Sequence, residues 1–353
     1  MDNNSFNIQS IFHQGKIFFL SFISVFVVAS LLNAGIKAPQ LINPVAHVTS
    51  THDIITELLT KNGNNFTLKQ HHTLVKETQA ASLYDQASAY IVVDFASGTI
   101  LKEKNKDTRL PIASLTKVIS AIVGSDLATT DDVFTVSSFA SRVEPTSIGV
   151  VPNQRMHRDE LLWAMILTSA NDATQVLKEG VDQKYNDAVF IDAMNIKAEV
   201  IGMKNSHFTN PQGYDNPNNY SSVADLALLS QYAITHYPLL SSISANDYHF
   251  LPADSFHKQF DLYNWNGLLG VYPNVSGLKI GNTSDAGHTT IVVAQRQGKQ
   301  LLAVLLGAPG VLERDLWTAQ LLDTGFMKLA NLSPVAVTKE QLQEKYGKWK
   351  FWN

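Results

Sequence analysis

The sequence predicts an α+β fold with a mostly antiparallel sheet, and three observations carry that expectation. Strand-like runs bounded by turn residues occur at residues 90–101 and again at 277–307. A long block between them has helical spacing. A final helical pattern over residues 313–329 closes the chain's ordered part. Strands grouped at both ends of a helical insertion indicate hairpins, where regular strand–helix alternation would indicate a parallel sheet.

The elements follow in order. The chain has 353 residues, 45% hydrophobic and 16% charged, which is enough apolar material for a sizeable core in one large domain or two. Its first feature is the apolar run 17–36, flanked by Lys16 and Lys37, which as a helix would span roughly 30 Å, about one hydrocarbon core. A membrane anchor is expected there, or a signal segment if the chain is cut after Ala34, although Leu32 is large for such a cut. Residues 38–85 are rich in Thr, His, Asn, Gln and Lys and read as a polar spacer, with one marginal helix around Ile54, Ile55, Leu58 and Leu59. His71 and His72 are adjacent in it, but no His-Glu-x-x-His pattern occurs, so neither a metal nor another cofactor is expected.

Core composition begins at Ala89. Residues 90–95 form a strand, Ala96-Ser97-Gly98-Thr99 a hairpin turn, and Ile100-Leu101 the return. The segment Pro111-Ile112-Ala113-Ser114-Leu115-Thr116-Lys117 runs into an apolar stretch that reads as a buried helix. Residues 159–168, 173–179, 192–201 and 223–233 have helical spacing. Strands return at 277–281, 289–295 and 301–307, the last two joined by the turn Arg296-Gln297-Gly298-Lys299. The tail 331–353 ends in alternating bases and aromatics around Tyr346, Trp349 and Trp352, which suits either a membrane-interface segment or a tail folded back on the domain. Absence of cysteine excludes disulfides and thiol catalysis, and a net charge of -4 gives no electrostatic case for binding nucleic acid.

The chemistry concentrates at Ser114 and Lys117. Three positions apart on a helix, a hydroxyl and an amine face the same way. An ordinary lysine, with a pKa near ~10.4, is protonated at neutral pH and cannot take a proton. Burial and a helix N-terminus disfavour the ammonium, and no acidic residue lies between Asp107 and Asp126 to restore it. Lys117 is then a candidate general base and Ser114 its nucleophile. Ser-x-x-Lys alone recurs by chance about once in a chain of this length. Here it is followed in order by Ser169-Ala170-Asn171 and Lys279-Ile280-Gly281, a set with a known catalytic logic.

With these motifs come Val93-Asp94, Ser97-Gly98, Asp172-Ala173, Met194-Asn195, Asn210-Pro211-Gln212-Gly213 and Tyr220-Ser221 with Asp225. Over about Ala89 to Ala330 the chain resembles the D-alanyl-D-alanine carboxypeptidases, low-molecular-mass penicillin-binding proteins related to β-lactamases. The resemblance implies a β-lactamase/transpeptidase-like fold, its sheet covered by helices on both faces, with a helical subdomain and a cleft between. It divides the chain into an anchor or signal segment (1–37), a spacer (38–85), a serine D,D-peptidase domain (86–330) and a tail (331–353).

The resemblance also assigns roles. Ser114 would form the acyl-enzyme and Lys117 would accept its proton. Ser169 would relay a proton to the leaving amine, and Asn171 would bridge between the lysines and the substrate amide. Lys279 would hold positive charge across the cleft, Gly281, Asn282 and Thr283 would form the substrate edge, and backbone N–H groups of Ser114 and Asn282 would hold the oxyanion. Arg314 would contact the substrate carboxylate. Two positions depart from the family pattern: Ile280 replaces a threonine or serine whose hydroxyl binds that carboxylate, and Asn282 replaces an aromatic residue or histidine.

The implied activity is removal of the terminal D-alanine from peptidoglycan stem peptides, with β-lactams as covalent inhibitors, on the extracytoplasmic face of the bacterial membrane or secreted from it. Three alternatives remain open from sequence: a D,D-endopeptidase, a β-lactamase, and a catalytically weak wall-binding protein. The second lacks a Glu-x-x-Leu-Asn stretch for activating water, and only Ile280 argues for the third.

Overall fold

The two strand-rich stretches of the sequence meet in a single sheet, with the helical block folded over one face. The computed structural model describes residues 50–70 and 82–349, which belong to one compact unit beginning at Ser50. Helix α1 (Thr51–Thr60) and the short β1 (Lys69–Gln70) precede the hairpin β2 (Ala89–Asp94) and β3 (Thr99–Lys104). The helical block comprises α2 (Lys117–Leu127), the small pair β4 (Val133–Thr135) and β5 (Arg155–His157), then α3 (Arg158–Trp163), α4 (Asn171–Tyr185), α5 (Phe190–Ile201), α6 (Val223–His236) and α7 (Pro238–Ser244). After it come a second hairpin, β6 (Tyr248–Leu251) and β7 (Phe260–Tyr263), and the long strands β8 (Val275–Thr283), β9 (Gly287–Arg296) and β10 (Lys299–Ala308). Helices α8 (Val311–Ala330) and α9 (Lys339–Trp349) follow.

The main sheet has the order β1-β3-β2-β10-β9-β8, which leaves β8 on an edge. Its neighbours run antiparallel, with Val92 opposite Ala303 and Leu278 opposite Val292, except that β1 runs parallel to β3. Successive side chains alternate between two cores. Ile91, Val93, Val293, Val304 and Leu306 join the helical block, whereas Val92, Val292, Leu301, Ala303 and Leu305 meet Trp317, Leu321 and Phe326 of α8. Both faces are covered, so these strands read as unbroken apolar runs. Helix α2 is buried all round, from Val118 to Gly124, as expected of a helix at the centre of a domain. Gly124 permits this packing, because a Cβ there would lie 2.5 Å from Leu177 Cδ2 of α4.

The stretch expected as a spacer is partly structural. Ser50 and Asp53 form a capping box that starts α1, and Ile55 and Leu59 are buried against α5 and α2. Asn64 Nδ2 donates to Ile201 O at 2.8 Å, Tyr232 Oη to Asn62 O at 2.7 Å, and Lys69 N to Gly98 O at 2.8 Å. Two buried residues, Ile55 and Leu59, with Leu58 partly buried beside them, suffice to dock a polar segment, so the domain extends upstream of residue 86. At the other end α9 folds back on α8 and buries Leu342, one of the two arrangements expected for the tail. The apolar run 17–36 and His71 and His72 lie outside the described residues. Among the described residues no helix is long and apolar enough to cross a membrane.

Candidate active site

Ser114 sits in a tight helical turn, Ala113–Thr116, that runs directly into α2. Ala113 has φ 51°, a left-handed conformation that costs a residue with a Cβ about 1–2 kcal/mol. Two glycines from distant segments close on this turn. A Cβ on Gly213 (φ 88°) would lie 2.0 Å from Ala113 O, and one on Gly281 would lie 2.8 Å from Ser114 N. Both must be glycine for the backbone of β8 and the segment before α6 to approach the nucleophile.

Lys117, the first residue of α2, is fully buried with Nζ 2.9 Å from Ser114 Oγ, 2.6 Å from Asn171 Oδ1 and 2.7 Å from Gln212 O. A neutral amine has two N–H bonds and one lone pair. Asn171 Oδ1 and Gln212 O accept the two donors, so the lone pair is left facing the Ser114 hydroxyl. Burial, and then the charge of Lys279, push the Lys117 amine well below the usual lysine range, with Asp172 pulling weakly the other way. Geometry and electrostatics therefore agree on a neutral base.

The second motif fastens the opposite wall. Ser169 follows a π-type turn, Ala164–Thr168, in left-handed conformation (φ 68°) and opens on the cleft. Asn171 begins α4; its Nδ2 donates to Pro145 O and its backbone N–H to Thr146 O at 2.8 Å. Asp172 accepts backbone N–H bonds from Ile148, Gly149 and Val150 at 3.2, 2.9 and 3.1 Å. Adjacent residues thus hold the base on one side and the loop over the cleft on the other.

Lys279 of the edge strand β8 is buried, donates to Ile280 O at 3.0 Å, and has its pKa pushed down to about 7, first by burial and then by Arg314. The cleft, of about 740 Å³, is lined by Ser114, Ser169, Ile280, Gly281 and Asn282, with Thr146 and Ile148 from the loop and Asp261, Tyr263 and Trp265 from the segment after β6. Lys117, Asn171 and Lys279 lie beneath this surface. Thr283 ends β8, where its Oγ1 accepts the Ala286 N–H at 3.2 Å, and does not line the cleft.

Arg314 departs from the sequence expectation. It is 2% exposed; its Nε and Nη2 bind Asp315 at 2.7 and 2.9 Å, and Nη2 also reaches Trp265 O at 3.1 Å. A carboxylate on the next residue engages Nε and Nη2 of the guanidinium, and Arg314 is not among the residues that line the cleft, so it acts on Lys279 through its charge. Gln212, which the sequence offers only as part of Asn210-Pro211-Gln212-Gly213, works through its backbone oxygen and so leaves no side-chain signal. The Asp261–Trp265 wall carried no motif at all.

The hydrogen bond between Ser114 and Lys117 equips the site for nucleophilic attack by the serine oxygen, with lysine as the proton acceptor. A fold and site of this kind define a serine hydrolase that works through an acyl-enzyme. Residues 75–310 match the sequence profile described as D-alanyl-D-alanine carboxypeptidase. The D-alanyl-D-alanine carboxypeptidase DacF of Bacillus subtilis is 28% identical over 281 residues, 77% of this chain and 71% of the relative. DacA of Haemophilus influenzae is 31% identical over 274 residues, 74% and 67% of the two chains. Penicillin-binding protein 5 of Haemophilus influenzae superposes with a TM-score of 0.64 at 30% identity, covering 71% of this chain and 73% of that one. Penicillin-binding protein D2 of Listeria monocytogenes, solved in its ampicillin-bound form, gives 0.61 at 28% identity, covering 70% and 100%. The chain belongs to the D-alanyl-D-alanine carboxypeptidase family, serine peptidases with the β-lactamase-like fold.

Proposed function

We propose that the chain is a serine D,D-carboxypeptidase that removes the terminal D-alanine from peptidoglycan stem peptides on the outer face of a bacterial cell membrane. The observation that carries the reading is the 2.9 Å contact between Lys117 Nζ and Ser114 Oγ in a site that keeps the amine neutral. As Oγ attacks the carbonyl carbon of the penultimate D-alanine, its proton passes to Lys117. The developing oxyanion takes the Ser114 N–H, which has no acceptor inside the helix it begins, and the Asn282 N–H. The C–N bond then breaks as Lys117 passes that proton through the Ser169 hydroxyl to the leaving nitrogen, which returns Lys117 to its neutral form. Water attacks the resulting ester, Lys117 takes a proton from it, and Ser114 regains its own on release of the shortened peptide. The charge of Lys279 favours the substrate's carboxylate and keeps Lys117 deprotonated.

Intact-protein mass after exposure to benzylpenicillin tests this directly. The full chain gains one penicilloyl group that persists for minutes, Ser114→Ala gains none, and the parent releases D-alanine from a stem pentapeptide. An unmodified parent with intact drug overturns the reading, and rapid drug hydrolysis replaces it with a β-lactamase. The apolar run 17–36 supports a single N-terminal anchor with the domain outside. Protease added to spheroplasts should then digest the domain; a domain protected until lysis reverses the orientation.

A further inference from the structure

The hairpin β6–β7 presents two unlike faces. Its register pairs Tyr248 with Tyr263 and Phe250 with Asp261, so these four side chains share one face. The other face holds His249, Leu251, Phe260 and Leu262, turned inward, with His249 stacked on Trp163 at 3.7 Å. Tyr248 and Phe250 remain 45% and 44% exposed, unusual for aromatic residues on a strand. This outward face is continuous with the active-site cleft, because Asp261 and Tyr263 line both.

Its chemistry is specific. Asp261 is the one charged residue among the described residues that line the cleft. Its Oδ1 accepts the Tyr248 hydroxyl at 2.6 Å, which fixes the carboxylate, and its Oδ2 has no hydrogen-bond partner among the described residues. The rings of Tyr248 and Tyr263 stand 5.2 Å apart beside it. Lys258, the cation of the hairpin's own turn, points elsewhere, to the Phe260 ring at 5.5 Å on the inner face. A fixed carboxylate beside two aromatic rings, Tyr248 exposed and Tyr263 half-buried, is a receptor for a cation, since the ring faces and the carboxylate attract the same charge.

We propose that Asp261, Tyr248 and Tyr263 form a specificity site for an aliphatic side-chain ammonium on the peptide substrate. The inference rests on the carboxypeptidase reading and deepens it: the preferred peptide is one with a basic side chain near the scissile bond, whose free amine the hairpin holds while Ser114 attacks.

The test compares Nα-acetyl-L-lysyl-D-alanyl-D-alanine with its Nε-acetylated form, each used as a substrate and as a competitor of penicillin acylation. Wild type should favour the free amine by roughly three- to thirtyfold in both assays, a preference that shrinks with added salt. Asp261→Asn keeps an acceptor for Tyr248 and should bring the preference within about twofold. Its urea unfolding midpoint should stay near that of wild type and so report a folded domain. Equal competition by the two peptides in wild type, or a preference that survives Asp261→Asn, overturns the proposal. Amine preference in competition with no turnover of either peptide supports the hairpin site and counts against the carboxypeptidase reading alone.

Discussion

At the scale of single residues, the site divides into groups that act through side chains and groups that act through backbone. Ser114, Lys117, Ser169, Asn171 and Lys279 were legible because their side chains recur in an ordered set, and the structure brings them around one cleft or just beneath it. Gln212 O and the loop oxygens of Pro145 and Thr146 were not, because any residue supplies a carbonyl. Arg314 was misplaced for a different reason: its neighbour Asp315 competes for the same guanidinium, and sequence position alone does not decide that contest. With Arg314 held there, Ile280 becomes the sharper question, since it lines the cleft and has no donor. A hydrogen bond to a charged group contributes ~1.5–3 kcal/mol, and every ~1.4 kcal/mol is tenfold. Ile280→Thr should therefore raise kcat/KM on a stem pentapeptide by about ten- to a hundredfold, with β-branching and strand preference retained. An efficient parent that gains nothing would mean that the cleft edge is adapted to another substrate terminus.

At the scale of elements, the long pieces were readable and the short ones were not. The strands β9 and β10 and the helix α8 bury long apolar stretches, and each announces itself by composition and period. Helix α1 reads from sequence only as a marginal helix in a polar tract, because only Ile55 and Leu59 of its ten residues are fully buried. The two-residue β1, Lys69–Gln70, has no pattern to read, since its pairing depends on where β3 ends up. Burial still makes α1 part of the domain. Leu59 is 0% exposed, and its carbonyl accepts from the Lys197 ammonium, which also pairs with Asp126 at 2.7 Å. Leu59→Ala should destabilise the fold by about 2–5 kcal/mol, the range for emptying a core leucine site. Urea unfolding measures it as a lower midpoint at unchanged slope. A change of a few tenths would show that α1 is only laid on the surface.

At the scale of the whole molecule, catalysis and stability draw on the same buried charges in opposite senses. Lys279 folds with its pKa pushed down to about 7, and burial, then the charge of Lys279, also push Lys117 well below the usual lysine range. Between that value and the ordinary lysine value of ~10.4 the unfolded chain binds more protons than the folded one, so stability rises with pH. Each such proton contributes a slope of about 1.4 kcal/mol per pH unit. His257 works the other way near neutrality: its contacts with Lys258 O and Glu160 outweigh burial and raise its pKa, so its contribution is lost as pH climbs through that raised value. Tyr214 is pushed up to about 12, and Tyr90, Tyr237, Tyr272 and Tyr346 are also raised, burial leading in each case. These phenols ionise first in the unfolded chain, so stability falls again above pH ~10. Thermal unfolding of residues 50–353 should accordingly show Tm rising by a few degrees from about pH 7.5 to 9.5 and falling beyond about 10.5. Lys279→Met removes one buried lysine amine and should flatten the rise while weakening turnover. A Tm that falls steadily from pH 7.5 upward would mean that the lysines are not held neutral by the fold, and the general-base role of Lys117 would fall with it.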